Sequence, residues 1–323
     1  MLDRYGRVIN YLRISVTDRC NLRCCYCMPE GVQDVGMKNI LTFEKIWEIV
    51  RTGVSLGITH IRITGGEPLV RKGCVNLIRG IREIPGVETI TMTTNGVLLG
   101  NYAKQLKEAG VDGVNISLDT LDPEEFYKIT GKRELQEVLA GIRAAKTAGL
   151  PVKLNAVNRK ELDPIPLVRY AQEENLAIRF IEMMPVGYGK KYVGRSNEEL
   201  RETLEAVCGN AECMTNREEL SRMGSGPAVY YQFSDLKVPV GFISAIHGKF
   251  CDTCNRVRLT AEGYLKLCLC YDEGENLRRV LREGEKENLR TIMEQTIFRK
   301  PAAHCFEHPA EMTETHEMVK IGG

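Results

Sequence analysis

The chain has 323 residues, a formal net charge of +1 and a hydrophobic content of 43%. This length suggests one large domain or a domain and a half, with room for a substantial core. Because positive and negative charges nearly cancel, the composition argues against binding of nucleic acid or of an anionic membrane surface.

The sequence shows no pattern typical of a targeting signal. The number of cysteines indicates a reducing compartment. The polar start, Met1 to Arg7, lacks the apolar segment of a signal peptide, and no unbroken apolar run reaches membrane length. Twelve cysteines in such a chain indicate reduced thiols and metal ligation rather than disulfides. We therefore expect a cytoplasmic protein that binds no membrane.

Apolar runs alternate with helical patterns from residue 11 to about residue 184. The predicted strands cover 11–17, 59–64, 88–94, 113–118, 151–157 and 177–183. The predicted helices cover approximately 42–56, 73–84, 98–109, 123–147 and 163–174. Repeated β–α units predict a parallel sheet, because right-handed crossovers return every strand in the same direction.

The first five predicted strands have one apolar and one polar face. In the first strand, Leu12 and Ile14 oppose Arg13, and Arg62 and Lys153 occupy polar positions in later strands. Buried parallel strands usually are apolar on both faces, so the pattern favours a partly closed barrel with a polar lumen. An antiparallel sheet with one wet face would alternate in the same way, but the intervening helices argue against it.

The predicted fold class is α/β, an incomplete (βα)6 barrel like that of triosephosphate isomerase, followed by a C-terminal α+β extension. The predicted division places the barrel in residues 1–185 and the extension in residues 186–323. Cations that face the lumen need a buried anion, since an unpaired buried charge is costly. A bound anionic ligand would meet that need, and internal salt bridges to Asp119 or Glu182 are the alternative.

A cysteine triplet, Cys20, Cys24 and Cys27, follows the first predicted strand with the spacing C-x3-C-x2-C. Three thiolates can hold three irons of a 4Fe–4S cubane and leave the fourth iron open to a small molecule. A zinc site or plain buried cysteines are the alternatives, but zinc favours paired C-x2-C elements with a fourth ligand nearby. Cys25 is interpreted as a neighbour of the site rather than a ligand.

The loop after the second predicted strand reads Gly65-Gly66-Glu67-Pro68. Barrel active sites lie at this end of the strands, and glycine lets a ligand approach the backbone closely. The triplet, with Tyr26 in its last gap, and this loop together resemble the radical S-adenosylmethionine (SAM) superfamily. The resemblance implies that SAM binds the open iron and is cleaved to a 5′-deoxyadenosyl radical. Ser117 and Asp119 resemble residues that contact SAM in this superfamily, although Asp119 could instead cap the next helix.

The composition changes after residue 184. We predict a helix near 197–207 and an antiparallel hairpin formed by Val229–Phe233 and Val238–Ile246. A second triplet follows, with Cys251, Cys254 and Cys268 spaced C-x2-C-x13-C. On spacing alone a zinc site stays open here, with Cys270 or His247 as the fourth ligand.

The block Cys251-x2-Cys254-Asn-Arg256-Val-Arg258-Leu and the terminal Ile321-Gly322-Gly323 add specificity. With the first triplet and the GGEP loop, they resemble the GTP 3′,8-cyclase family over essentially the whole chain. These radical SAM enzymes carry out the first step of molybdenum cofactor biosynthesis, in which GTP becomes 3′,8-cyclo-7,8-dihydro-GTP. The radical removes the 3′ hydrogen of the ribose in that reaction.

The resemblance implies two 4Fe–4S clusters, the second held by Cys251, Cys254 and Cys268. It implies GTP contacts at Arg13, Arg62, Thr93, Lys153, Arg179, Arg256 and Arg258. It implies SAM contacts at Tyr26, Gly66, Ser117 and Met184. Catalytic roles would fall to Arg256, Arg258, Gly322 and Gly323, the last two on a tail that enters the active site.

The implied partners are GTP, SAM, a flavodoxin- or ferredoxin-type electron donor and the downstream cyclic pyranopterin monophosphate synthase, with a homodimer as a further expectation. Two rival hypotheses are a radical SAM enzyme that modifies a peptide and a non-catalytic zinc protein. Cys25, His60 and Cys270 depart from the family pattern, and His60 puts one phosphate contact in doubt.

Overall fold

The computed structural model describes residues 1–31, 36–282 and 286–322. The strands are β1 (Tyr11–Ser15), β2 (His60–Thr64), β3 (Thr89–Thr94), β4 (Gly113–Ser117), β5 (Val152–Asn158), β6 (Ala177–Glu182), β7 (Ala211–Cys213), β8 (Val229–Phe233), β9 (Val240–Ile243), β10 (Arg256–Leu259), β11 (Tyr264–Lys266) and β12 (Gly274–Asn276). The helices are α1 (Phe43–Ser55), α2 (Cys74–Arg82), α3 (Leu99–Glu108), α4 (Pro123–Thr130), α5 (Leu135–Thr147), α6 (Pro164–Glu173), α7 (Asn197–Cys208), α8 (Arg217–Arg222), α9 (Leu277–Arg282) and α10 (Lys286–Phe298).

All these strands form one sheet, ordered β12-β11-β10-β1-β2-β3-β4-β5-β6-β9-β8-β7. Strands β1 to β6 run parallel, each joined to the next through helices. Among the described residues, the sheet has two free ends rather than a closing pair of strands. The predicted incomplete barrel is therefore confirmed, with all six of its strands.

The C-terminal part of the chain extends both edges of the barrel sheet. Strand β10 pairs in parallel with β1, and β9 pairs in parallel with β6. The predicted hairpin is confirmed, since β8 and β9 pair antiparallel. The predicted boundary between residues 185 and 186 thus lies within one continuous sheet.

The apolar strand faces and the inner helix faces share one core. Ile14, Ile63, Ile116, Leu154 and Phe180, from five of the parallel strands, are fully buried in it. Burial of each such side chain contributes about 1.5–3 kcal/mol. This packing fixes the helices on one face and leaves the other face of the sheet to polar side chains.

One predicted helix is in fact two. The sequence predicts a single helix over 123–147, but α4 ends at Gly131, which has a left-handed φ of 69°. The break leaves backbone carbonyls of α4 available to the cysteine loop. Thr130 O accepts from Arg23 N at 2.7 Å, and Ile129 O accepts from Cys25 N at 2.8 Å.

None of the described helices combines the length and the apolar character that a membrane-spanning segment requires.

We predict that Gly131→Ala destabilises both the fold and the cysteine loop. A left-handed alanine costs about 1 kcal/mol, and the added Cβ would lie 3.2 Å from Cβ of Arg23. Urea unfolding measures the first effect, and iron bound per chain measures the second.

Gly149→Ala is the matched control for this prediction. Gly149 has a similar φ of +71°, but an added Cβ would meet no atom within 4 Å. The control should lower the free energy of unfolding by a similar amount and leave the iron content unchanged. Equal iron loss in both variants would contradict a specific contact between Gly131 and the cysteine loop.

Candidate active site

A cavity of about 260 Å³ lies on the polar face of the parallel strands. It is bounded on one side by the barrel strands and on the other by the C-terminal part of the chain. The predicted site residues that line it are Arg13, Tyr26, Arg62, Thr93, Ser117, Arg179, Met184, Cys251, Cys254, Arg256, Arg258 and Cys268. The polar strand face predicted from alternation is therefore confirmed as the wall of a cavity.

The other described site residues lie outside that lining, namely Cys20, Cys24, Cys27, Gly66, Lys153 and Gly322. Lys153 nevertheless interacts electrostatically with two lining residues. Burial and, to a smaller extent, repulsion by Arg179 and Arg62 lower the pKa of its amine to about 8. Gly323 is outside the described residues.

Three arginines lie side by side across neighbouring strands. Arg13 of β1 is in register with Arg62 of β2 on one side and with Arg258 of β10 on the other. Burial lowers the pKa of the Arg13 guanidinium well below its usual range, and repulsion by Arg258 and Arg62 lowers it further. Nε of Arg62 is buried without a hydrogen-bond partner. The row of arginines is a strong site for an anion.

The carboxylates considered as internal partners are engaged elsewhere. Asp119 accepts from the Tyr26 hydroxyl at 2.7 Å and from Val157 N at 2.9 Å. Glu182 accepts hydrogen bonds from the backbone N–H groups of Asn197, Ile246 and His247. Its Oε1 also lies 3.1 Å from His247 Nδ1. The salt-bridge alternative for the lumen cations is thus not supported by the positions of these two acids.

Arg179 has neutral partners. Its Nε donates to Asn155 Oδ1 at 2.9 Å, and its Nη2 donates to Asn115 Oδ1. Burial lowers the pKa of the Arg179 guanidinium. The amides orient the side chain and leave its charge uncompensated on the cavity wall.

The first cysteine triplet lies in a loop held by backbone and side-chain hydrogen bonds. Cys20 Sγ accepts from Leu22 N at 3.4 Å and from Asn95 Nδ2 at 3.6 Å. Burial raises the pKa of the Cys24 thiol well above its usual range, as does the proximity of Cys27, Asp119 and Cys20. Thiols gathered in this way suit a metal centre, since a bound metal stabilises their thiolate forms.

Cys25 faces a different neighbour. Its thiol is hydrogen-bonded with the hydroxyl of Tyr192, which raises the pKa of that phenol to about 12. This contact agrees with the interpretation of Cys25 as a neighbour of the triplet.

The GGEP loop packs directly on the cysteine loop. A Cβ atom at Gly66 would lie 2.4 Å from the carbonyl oxygen of Arg19, so only glycine fits. Glu67 connects this loop to the end of β3, because its carboxylate accepts from Leu69 N, Thr94 Oγ1 and Asn95 N at 3.1, 2.8 and 2.7 Å. Burial raises the pKa of Glu67 to about 7, although these hydrogen bonds favour the charged form and act in the opposite direction.

Asp119 orients Tyr26 and does not cap the following helix. The cap of α4 is Asp122, which accepts from Glu125 N at 2.7 Å. The alternative role considered for Asp119 is therefore wrong. The pKa of the Tyr26 phenol is raised by burial and by the Asp119 carboxylate, so the hydroxyl stays protonated and donates a hydrogen bond to Asp119.

The second cysteine triplet lines the cavity opposite the barrel. Burial raises the pKa of the Cys254 thiol, but the charges of Lys300 and Arg256 outweigh burial and bring the pKa to about 6. Arg256 Nη2 also donates to Cys254 Sγ at 3.6 Å. Cys254 is therefore a thiolate at neutral pH, the form that binds metals.

Cys270 and His247, the candidates for a fourth ligand, contact other groups. Cys270 Sγ lies 3.1 Å from Cys305 Sγ, and His247 Nδ1 lies 3.1 Å from Glu182 Oε1. Neither lines the cavity. His60 likewise lies away from the cavity lining, with Nδ1 2.8 Å from Thr89 Oγ1.

Several cavity residues were missed by sequence reasoning, namely Arg7, Tyr11, Lys300 and His304. Tyr11 precedes Arg13 by two positions, so strand alternation alone could have found it. Arg7 carries no such signal, since its contact with Cys251 joins positions 244 residues apart.

The tail reaches the cavity region from the C-terminal side. The carbonyl oxygen of Gly322 accepts from Arg258 Nη1 at 3.0 Å. Upstream, the N–H of Val319 donates to the Cys27 thiol. The described end of the chain thus contacts both an arginine of the row and a cysteine of the first triplet.

Comparison with known proteins gives the family. The radical SAM superfamily matches residues 14–164, and the Molybdenum Cofactor Synthesis C family matches residues 176–306. A GTP 3′,8-cyclase from Clostridium perfringens (strain 13) is 42% identical, and both chains are covered in full. The chain belongs to the GTP 3′,8-cyclase family. It is a radical SAM enzyme, and that superfamily uses SAM and a 4Fe–4S cluster.

Other relatives extend this result. GTP 3′,8-cyclases from Petrotoga mobilis and Peptoclostridium acidaminophilum are 43% and 44% identical, with 100% and 98% of those proteins covered. Among solved structures, Streptococcus suis SuiB bound to S-adenosylmethionine has a TM-score of 0.66 at 15% identity, covering 97% of this chain and 77% of SuiB. The likeness to SuiB shows the fold alone.

We predict that replacing Cys20, Cys24 and Cys27 together by serine removes one cluster and abolishes SAM cleavage, because the open iron that would bind SAM is lost. Anaerobic iron and sulfide analysis and detection of 5′-deoxyadenosine provide the measurements. SAM cleavage by the triple variant would show that the wrong ligands were chosen.

Cys25→Ser is the control for the triple variant. It should keep both clusters and most of the activity, since the Cys25 thiol contacts Tyr192. Loss of the first cluster in Cys25→Ser would assign a ligand role to that residue.

Proposed function

We propose that this protein converts GTP to 3′,8-cyclo-7,8-dihydro-GTP, the first step of molybdenum cofactor biosynthesis. The observation that carries the proposal is the row of arginines in register, Arg62, Arg13 and Arg258, on the wall of a cavity that the second cysteine triplet also lines. Relatives of 42–44% identity that are named GTP 3′,8-cyclase support the substrate.

Cys20, Cys24 and Cys27 would hold the cluster that serves SAM. When bound, that cluster supplies the electron that cleaves SAM to a 5′-deoxyadenosyl radical, which takes the 3′ hydrogen of the GTP ribose. The chain contributes a glycine at Gly66, where the loop backbone is tightly packed, and a hydroxyl at Tyr26 that Asp119 orients.

The remaining SAM contacts that we propose, Ser117 and Met184, line the cavity at the ends of β4 and β6. Together with Tyr26 they border the cavity on the side of the barrel.

The arginine row would bind the triphosphate. Repulsion among Arg13, Arg62 and Arg258 is relieved when phosphate oxygens lie between them. Arg179, with its neutral amide partners, and Lys153, with its lowered pKa, add charge on the same face. A phosphate nearby would keep Lys153 protonated. Thr93, whose hydroxyl lies 3.5 Å from Arg62 Nη1, is the proposed uncharged contact.

A second 4Fe–4S cluster on Cys251, Cys254 and Cys268 would face the guanine of GTP. The low pKa of Cys254 supports metal binding there. In the described part of the chain, neither triplet has all three sulfurs within 4.8 Å of one another. A single tetrahedral zinc with bonds of about 2.3 Å would draw its sulfurs to about 3.8 Å from one another, whereas cubane ligands bind different irons and sit wider apart.

Arg256 and Arg258 connect the second cluster to the arginine row. Arg256 donates to Cys254 Sγ, and Arg258 donates to the carbonyl of Gly322. Burial, with the nearby charge of Arg256, lowers the pKa of the Arg258 guanidinium to about 10. Arg258 therefore remains cationic at neutral pH. We propose that both arginines orient GTP and, with the Gly322–Gly323 tail, arrange the reacting groups.

In this proposal, the two predicted parts of the chain serve different cofactors. Residues 1–185 would serve SAM, and residues 186–323 would hold the second cluster and the tail. The electron donor of flavodoxin or ferredoxin type, the downstream synthase, the homodimer and the cytoplasmic location stay predictions.

Anaerobic incubation with SAM, GTP and a strong reductant tests the proposed function. We expect 3′,8-cyclo-7,8-dihydro-GTP and 5′-deoxyadenosine in equal amounts. Arg62→Met or Arg258→Met should raise the dissociation constant of GTP about 10- to 100-fold, since a hydrogen bond to a charged group contributes about 1.5–3 kcal/mol. Isothermal titration measures this change.

Arg143→Met, at an exposed arginine of α5, is the control for these arginine variants. It should bind GTP as the unmodified protein does. Absence of any GTP-derived product would reject the function. Equal losses of iron and of GTP binding in Arg258→Met would indicate a role for Arg258 in folding instead.

The tail provides a second test. We predict that deletion of Gly322 and Gly323 abolishes cyclisation, because Arg258 loses the carbonyl that holds it at 3.0 Å. SAM cleavage should persist without product, since Val319 and its contact with Cys27 remain. Product and 5′-deoxyadenosine are measured side by side, and normal cyclisation by the truncated enzyme would contradict the proposed role.

A further inference from the structure

Two buried cations lie beside the second cysteine triplet and have no part in the proposed reaction. Arg7 is 8% exposed and Lys300 is 3% exposed. Both line the same cavity as Cys251, Cys254 and Cys268. Burying a charge is costly unless it is paired, so each of them requires an explanation.

The guanidinium of Arg7 forms hydrogen bonds with three segments of the chain. Its Nη1 donates to Cys251 O at 2.8 Å and to Ala302 O at 2.7 Å, and its Nη2 donates to Pro301 O at 2.7 Å. Its Nε donates to Asp3 Oδ2 at 2.6 Å. Because the buried Asp3 carboxylate neutralises the guanidinium, the contribution of Arg7 is mainly geometric.

Lys300 differs in its partners. Its Nζ donates to the carbonyl oxygen of Leu267, the residue before Cys268. In the described portion of the chain, no carboxylate lies within ion-pair distance of this amine. The groups that favour its charged form are the Cys254 and Cys268 sulfurs, which counter the lowering of the Lys300 pKa by burial. Lys300 is therefore a buried cation that donates to the Leu267 carbonyl and whose charge is favoured by the sulfurs of the second triplet.

The positions of these contacts connect the two ligand loops. Arg7 holds the carbonyl of Cys251 against residues 301–302, and Lys300, the preceding residue, holds the carbonyl of Leu267. The segment 300–302 is thus fixed between the loop of Cys251 and the loop of Cys268. Groups that hold metal ligands in this way commonly control metal affinity.

We infer that the Asp3–Arg7 pair and Lys300 are positioning residues of the second cluster. Arg7 sets the place of Cys251, and Lys300 sets the place of Cys268 and compensates the negative charge of the thiolate-bound cluster. This inference rests on the proposed second cluster. Since net charge near a cluster tunes its reduction potential, Lys300 stabilises the reduced form and raises the potential.

The test uses the full chain with Cys20, Cys24 and Cys27 replaced by serine, so that only the second site can bind iron. After anaerobic reconstitution we expect about four irons per chain. Adding Arg7→Met should reduce the iron to less than half. Arg7→Lys should also lose iron, because a single ammonium group cannot reach Asp3 and three carbonyls together. Arg4→Met, at an exposed arginine of the same segment, should keep all the iron.

Lys300→Met in the same background tests the charge. It should shift the reduction potential of the remaining cluster to a more negative value in a redox titration followed by electron paramagnetic resonance. Lys249→Met is the matched control, because Lys249 is exposed and paired with Glu307 at 2.7 Å. Lys249 also interacts with the charge of Cys251, but solvent and Glu307 screen it, so the control should shift the potential much less than Lys300→Met does.

The outcomes separate the two proposals. A triple-serine protein without iron would overturn the second cluster itself. A protein that keeps its iron, spectrum and potential in Arg7→Met and Lys300→Met would overturn the present inference and leave the second cluster standing. If Arg7→Met does not fold, the iron content of Arg7→Lys and the potential of Lys300→Met decide in the same way.

Discussion

Repulsion among the arginines of the cavity wall is the interaction on which the rest of the site depends. Register alone brings Arg13 between Arg62 and Arg258, and the apolar core behind β1 and β2 prevents the strands from moving apart. The sheet therefore holds like charges together at a cost to its own stability. An anionic ligand removes that cost, so binding and folding are thermodynamically linked at this wall.

Much of this wall was predictable from the sequence, because the relevant signal is local. Strand alternation with a period of two assigns Arg13, Arg62 and Lys153 to the polar face without reference to the partner strands. The spacing within each cysteine triplet is likewise a local signal. Strands β1 to β6 were predictable for the same reason, since each is a short alternating run followed by a helical pattern.

The rest depends on contacts between distant parts of the chain. Nothing near Arg256–Leu259 indicates that this strand pairs in parallel with β1, because no tight turn sets the register. The contact of Arg7 with Cys251 and that of Gly322 with Arg258 have the same origin. The break at Gly131 was missed because the helical periodicity resumes after four residues, and one glycine within a helical pattern is a weak signal.

Because the sheet is continuous, the chain cannot be truncated at the end of the barrel without exposing strand edges. Strands β9 and β10 cover the open edges of β6 and β1. A fragment that stopped at residue 185 would present two long rows of unpaired backbone groups, which are templates for intermolecular strand addition. The C-terminal part thus prevents aggregation of the barrel by pairing with its edge strands. Neither part could be exchanged for another domain unless the new domain also covered these strands.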